Sequence, residues 1–164
     1  VVTIRDANFS DLEAIVALEG MVYDHPWSET IIRDEMAQAN RVYLVVEHDD
    51  GIVGFGGMMF VEEDAHITTL GIDPEDRRRY LGSRLLLALI DQALDTGARH
   101  LTLEVRESNF NAQQMYEQFG FTSVGKRHGY YKGEDAVVMW ALDIDADEYQ
   151  ERLESIRLRL EEAA

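Results

Sequence analysis

Residues 66–91 read HITTLGIDPEDRRRYLGSRLLLALID, and the rest of the chain is ordered around them. The first seven residues predict a strand, with the β-branched pair Thr68 and Thr69 flanked by Ile67 and Leu70. Asp73-Pro74-Glu75-Asp76 is turn chemistry, since proline presets one backbone dihedral and the acids can cap. From Leu81 onward, Leu85, Leu86, Ala88, Leu89 and Ala93 fall at helical spacing. The stretch is therefore strand, basic turn, helix. The first turn of a helix carries N–H groups without intrahelical partners and a partial positive charge. With Arg77, Arg78 and Arg79 just ahead of it, and Gly82 allowing close backbone approach, such a turn can receive a phosphate or pyrophosphate. A solvated basic turn at a helix start reads equally well from the pattern alone. A Walker A loop is excluded because no Gly-Lys-Ser/Thr follows, and the Gly-x-Gly-x-x-Gly dinucleotide fingerprint is absent.

Working outward, the chain has 164 residues, enough for one domain with a substantial core. No apolar run reaches membrane-spanning length, and the first residues lack the basic start and apolar core of a signal peptide. There is no cysteine, hence no disulfide framework and no thiolate nucleophile. The five histidines are scattered without paired ligand spacing, so no metal is expected. Asp and Glu number 32 against 15 Lys and Arg, a formal charge of −17. That balance disfavours direct nucleic-acid binding. It suits either a cationic acceptor or a high-salt habitat. Against this background the arginine turn stands out as a local anion site.

Upstream, residues 1–5 predict a strand, and Ser10 with Glu13 reads as a capping box for a helix burying Leu12, Ile15, Val16 and Leu18. His25, Pro26 and Trp27 break that helix, and Ser28 caps a second one, 29–39, with Ile31, Ile32 and Met36 inward. Strands follow over 41–48 and 52–62, joined by Asp49-Asp50-Gly51. Gly54, Gly56 and Gly57 in the second of these predict a bulge or a close approach of another segment. After the long helix, 79–96, closed by Gly97, come a strand (100–106), a short helix from Ser108 or Asn109 to Phe119, an extended arm to Tyr131 and a last strand (136–144). Tyr149, Leu153, Ile156 and Leu160 give a C-terminal helix a narrow apolar stripe. The expected architecture is α/β, a layered mixed and mostly antiparallel sheet flanked by helices. Residues 1–144 form the domain, and 145–164 an amphipathic helix packed on it or at a dimer interface.

The turn Arg77-x-x-Tyr80-x-Gly82 resembles the acetyl-CoA-binding segment of the GNAT N-acetyltransferases, whose signature is Arg/Gln-x-x-Gly-x-Gly/Ala after a strand. The first signature glycine is replaced by Tyr80, whose Cβ could crowd the pyrophosphate. Leu103-Glu104-Val105-Arg106, Asn109, Met115-Tyr116, Phe119-Gly120-Phe121, Gly129-Tyr130-Tyr131 and the early Pro26-Trp27-Ser28 extend the likeness. Together they are most similar to the ribosomal-protein-alanine N-acetyltransferases and their archaeal N-terminal acetyltransferase relatives. The element order also matches the GNAT fold, whose fourth and fifth strands splay apart around the cofactor's pantetheine.

Glu104 is the candidate base, because it lies mid-strand opposite the apolar face of Leu101, Leu103 and Val105. A partly buried carboxylate there would have a raised pKa suited to proton removal, while a solvent-facing strand glutamate is the plainer reading. His66 is a second candidate base or an ordinary strand histidine. The resemblance makes Glu104 the proton acceptor and Tyr116 the proton donor to the departing thiolate. It assigns acetyl-CoA to Leu70, Gly71, Ile72, Arg77, Arg78, Arg79, Tyr80, Leu81, Gly82, Ser83 and Asn109. Tyr116 could equally be a core aromatic, and Asn109 a helix cap. His25, Pro26, Trp27, Tyr130 and Tyr131 would grip the acceptor. The activity so implied is transfer of acetyl to the α-amine of a protein or peptide N-terminus, a ribosomal protein among the candidates, by direct attack. The alternative is a small amine, a polyamine or a lysine side chain. A cytoplasmic monomer or homodimer is expected, with no membrane partner.

Overall fold

The computed structural model describes residues 1–49 and 51–163; the side chains of Arg77, Arg78 and Arg79 lie outside what is described. The elements run β1 (Val2–Asp6), α1 (Leu12–Val22), α2 (Glu29–Met36), β2 (Arg41–His48), β3 (Gly51–Val61), β4 (Asp64–Ile72), α3 (Leu81–Thr96), β5 (His100–Arg106), α4 (Phe110–Gln118), β6 (Thr122–Tyr131), β7 (Glu134–Ala141) and α5 (Asp147–Ala163). Short 3₁₀ turns occupy Phe9–Asp11 and Pro74–Arg79. The strands form one mixed sheet in the order β1-β2-β3-β4-β5-β7-β6. β4 and β5 pair in parallel, whereas β1–β2, β2–β3, β5–β7 and β6–β7 are antiparallel.

Two compact units share the chain: Val1–Met59 with Thr69–Gln92, and Phe60–Thr68 with Ala93–Ala164. In the first, Leu12, Ile15, Leu18, Ile32, Tyr43, Val45 and Phe55 make the core, with Tyr43 stacked on Phe55 at 5.4 Å. The glycines of β3 are there for packing. A Cβ on Gly57 would sit 2.1 Å from the Tyr43 ring, and one on Gly56 3.0 Å from Leu89 of α3. In the second unit, the inward face of β5 (Leu101, Leu103, Val105) is buried, as are Phe119, Phe121, Met139, Tyr149, Leu153 and Ile156. Helix α5 is anchored by Tyr149, whose buried hydroxyl donates to the Phe119 carbonyl at 2.6 Å. Arg152 donates to the Gln118 carbonyl at 3.2 Å.

Two local expectations are corrected. Ser10 is not the cap: Asn8 and Asp11 form the capping box of the 3₁₀ turn, and α1 starts after it. Arg5 explains the shift, because its guanidinium holds both Asp11 carboxylate oxygens at 2.8 and 2.9 Å and draws that residue inward. Ile31 is 48% exposed, since α2 ends at Met36 and its buried stripe centres on Ile32. Ser28 does cap α2, accepting from the Ile31 N–H at 3.2 Å.

Candidate active site

The registered β4–β5 pairs run from Asp64↔His100 to Ile67↔Leu103. Pairing of His66 with Thr102 puts His66, Thr102 and Glu104 on one face of the sheet. There His66 Nε2 lies 2.6 Å from Glu104 Oε2. The Glu104 side chain is only 7% exposed, and Arg127 Nε reaches its other oxygen at 3.6 Å. Burial pushes this carboxyl up, but the His66 hydrogen bond and the charges of His66 and Arg127 outweigh it. Glu104 therefore sits below the ordinary glutamate value, and the raised pKa expected for it is not found. The reason is that the carboxylate is buried with partners rather than alone.

Next along this face is Thr68. Its Oγ1 is buried without a hydrogen-bond partner among the described residues. A buried hydroxyl left unpaired costs about 1–3 kcal/mol, so this position suits a polar ligand atom or an ordered water beside the His66–Glu104 pair. The late arm closes around the same pair. Tyr131 donates to the Glu104 carbonyl at 3.1 Å, and the Arg106 guanidinium lies 4.5 Å from the centre of its ring. Tyr130 packs edge-on against Tyr131 at 5.1 Å, with Arg127 at 5.5 Å from its ring centre. Tyr130 is 49% exposed, and burial with the nearby Glu104 charge raises its phenol.

In α4, Tyr116 is buried, and its ring tilts against Phe121 at 5.7 Å. Asn109 caps this helix, its side-chain oxygen accepting from the Ala112 N–H at 3.1 Å. Ser108 lies just ahead of the cap, its N–H donating to Glu134 at 2.7 Å.

The first unit supplies the turn. Asp73 Oδ1 accepts from the Glu75 N–H at 3.0 Å, Pro74 opens the 3₁₀ segment, and Tyr80 closes it in the left-handed region, at φ 56°. The helix α3 begins there, with the Arg84 N–H donating to the Tyr80 carbonyl at 3.0 Å. Leu81, Gly82 and Ser83 thus form the first turn, as a phosphate receptor needs. The signature glycine is a conformational requirement, which Tyr80 meets against its own sterics at roughly 1–2 kcal/mol. Its side chain is 59% exposed. Tyr80→Gly is therefore expected to raise the unfolding temperature by a few degrees, with the KM for acetyl-CoA equal or lower. A fall in stability would show that the tyrosine ring holds the turn.

Leu70, Gly71 and Ile72 lie at the end of β4. Leu70 presents both main-chain groups to one hydroxyl. Its N–H donates to Tyr23 Oη at 3.1 Å, and its carbonyl accepts from the same oxygen at 2.9 Å. A ligand at Leu70 would share or displace that hydroxyl. His25 and Pro26 are exposed, whereas Trp27 is half-buried against the core of its unit.

Glu104 and His66, each a candidate base in the sequence, are brought into contact by the fold. Arg127, Thr68 and Tyr23 were missed. Thr68 was legible in principle, by its period-two spacing between His66 and Leu70. Arg127 and Tyr23 reach their partners through the tertiary fold and carry no local signal. Among the described residues, no group of three or more His, Asp or Glu could hold a metal.

The Acetyltransferase (GNAT) family pattern matches residues 9–121. A Bacillus subtilis relative is 35% identical over 140 residues, covering 84% of this chain and 93% of its own. A Salmonella typhimurium protein named ribosomal protein bS18-alanine N-acetyltransferase is 33% identical over 141 residues, covering 84% of this chain and 95% of its own. The crystal structure of the Escherichia coli enzyme of the same kind superposes with a TM-score of 0.81 at 29% identity, over 87% of this chain and 94% of that one. With its fold, its basic turn and its buried carboxylate in place, the chain belongs to the GNAT acetyltransferase family.

Proposed function

We propose that this protein acetylates the α-amine of a protein N-terminus, with acetyl-CoA as donor. The observation that carries the reading is the half-buried His66–Glu104 pair at 2.6 Å, flanked by the aromatic arm of Tyr130 and Tyr131. Relatives at 30–35% identity named as ribosomal-protein-alanine acetyltransferases support the acceptor class.

When bound, acetyl-CoA supplies an activated thioester carbon. The residues present suit it: in the first unit, a first helical turn suits a pyrophosphate, and in the second, the Thr68 hydroxyl is unpaired among the described residues. Gly71, Ile72, Tyr80, Leu81, Gly82, Ser83 and Asn109, with Arg77, Arg78 and Arg79, would hold the cofactor. Leu70 would do so by exchanging its Tyr23 contact. His25, Pro26, Trp27, Tyr130 and Tyr131 would position the acceptor. An α-ammonium has an ordinary pKa of about 7.7–8.0. Glu104 alone is a weak base for it, being held below the usual carboxylate range. The 2.6 Å contact with His66 gives a proton accepted at Glu104 a second nitrogen site within hydrogen-bond reach. Tyr116 holds its phenolic proton for the departing thiolate.

Residues 1–144 make up the catalytic domain in this reading, and α5 supports it through the Phe119 carbonyl. Cytoplasmic residence fits an enzyme meeting acetyl-CoA and new protein N-termini. No described helix is long and apolar enough to cross a membrane.

A thiol-release assay with acetyl-CoA tests the assignment. Peptides with free Ala, Ser or Met N-termini should release CoA. The same peptides with blocked N-termini and an internal lysine should not, nor should polyamines. Release confined to polyamines or blocked lysine peptides would replace this reading with a side-chain or small-amine acetyltransferase.

A further inference from the structure

Within the second unit, the two oxygens of Glu104 are served unequally. Oε2 lies at hydrogen-bond distance, 2.6 Å, from His66 Nε2. Oε1 faces the Arg127 guanidinium at 3.6 Å, and among the described residues it accepts no hydrogen bond. That separation is beyond hydrogen-bond reach, so the contact is charge attraction alone. Exposure is unequal too: the Arg127 side chain is 59% exposed and that of Glu104 only 7%. Arg127 lies on β6, the outermost strand of the sheet, whose residues are exposed nearly throughout. It also has a second resting place, because its guanidinium sits 5.5 Å from the centre of the Tyr130 ring. The other charged groups nearby are engaged elsewhere. Arg106 of β5 pairs with Glu134 at 3.2 Å and lies over Tyr131, Lys126 pairs with Glu107, and His128 pairs with Asp135 at 3.0 Å. Opposite Glu104 on β7 stands Val138, which carries no charge. Arg127 is therefore the one weakly held, solvent-facing cation at this carboxylate among the described residues.

We propose that Arg127 is a specificity-determining residue, holding the place of the acceptor's ammonium at Glu104 Oε1 and yielding it only to another cation. The inference rests on the reading of Glu104 as the base for an α-amine. Displacing Arg127 breaks an ion pair. An α-ammonium restores that pair with direct N–H···O bonds, stronger than the contact it replaces. A neutral alcohol, amide or blocked N-terminus restores no charge. Once seated, the ammonium is hydrogen-bonded to the atom that takes its proton. One proton passes to Oε1, leaving a neutral amine as nucleophile and a neutral carboxyl. The acetylated product is a neutral amide, so Arg127 returns to Oε1 once the carboxyl has lost that proton to solvent. Arginine suits the task because it keeps its charge at every working pH.

The test compares the wild type with Arg127→Met, which keeps an apolar stem against Tyr130 without the charge, and with Arg127→Lys, which keeps the charge. Two peptides of one sequence, one with a free N-terminal alanine and one N-acetylated, are titrated by calorimetry into each enzyme with CoA bound. Arg127→Met should bind the free peptide about three- to fivefold more tightly, the scale of a partly exposed ion pair, and the acetylated peptide as the wild type does. The KM for the free peptide should fall by the same factor. Arg127→Lys should bring the ratio of the two affinities back to within about twofold of the wild type. Should Arg127→Met fail to fold, Arg127→Gln removes the same charge and should give the same ratio. A ratio unchanged or moved toward the acetylated peptide in the uncharged variant overturns the exchange. A lysine ratio equal to that of methionine overturns it as well, because the effect is then not one of charge. A wild type that releases no CoA from acetyl-CoA with the free peptide overturns the proposed function itself, and this inference falls with it.

Discussion

Glu104→Gln lowers kcat by about 10²–10⁴-fold, the range for removing a positioned general base, and leaves acetyl-CoA affinity within about twofold. Glutamine keeps the shape and can still meet the His66 ring, so the fold is retained while the proton acceptor is lost. Steady-state kinetics together with CoA calorimetry separates the two effects. Loss of cofactor binding with unchanged kcat would remove Glu104 from the base role. The pH behaviour follows the sign of its shift. Because the carboxyl is lowered in the folded state, its contribution to stability is present above about pH 4.3 and is lost as the pH falls through the lowered value. In the Gln variant that acid-side loss of stability should be smaller.

Tyr116→Phe lowers kcat by about 10²-fold by withholding the proton from the thiolate. The ring is buried in α4 and tilted on Phe121, and phenylalanine preserves both features. Following thiol release and acetyl-peptide formation in a single turnover checks the role. Both should slow together, with unchanged CoA affinity and nearly unchanged unfolding temperature. Full activity would return Tyr116 to the core as a packing residue.

Most of the fold could be read along the chain, because its signals are local. The two-residue period of β5, the Ser28 cap and the Gly97 stop each act within one or two turns of backbone. The same holds for the strand–turn–helix order around Asp73-Pro74, which located the candidate phosphate receptor. What escaped depends on partners distant in sequence. Asp11 is drawn inward by Arg5 and displaces the expected cap at Ser10. The pKa of Glu104 was expected on the wrong side because burial was visible in its strand pattern, whereas His66 and Arg127 were not visible as neighbours. The meaning of Tyr80 was also hidden: the sequence shows a missing glycine, and only the φ of 56° shows the conformation that glycine would have served.

The most direct test of α-amine acetylation uses one peptide carrying both a free N-terminal alanine and an internal lysine. It is incubated with enzyme and acetyl-CoA, and the acetyl group is located by tandem mass spectrometry. The account predicts acetyl on the α-amine alone, formed about 10²–10⁴-fold more slowly with the Glu104→Gln enzyme under the same conditions. Acetyl on the lysine Nζ with the α-amine left free would contradict it.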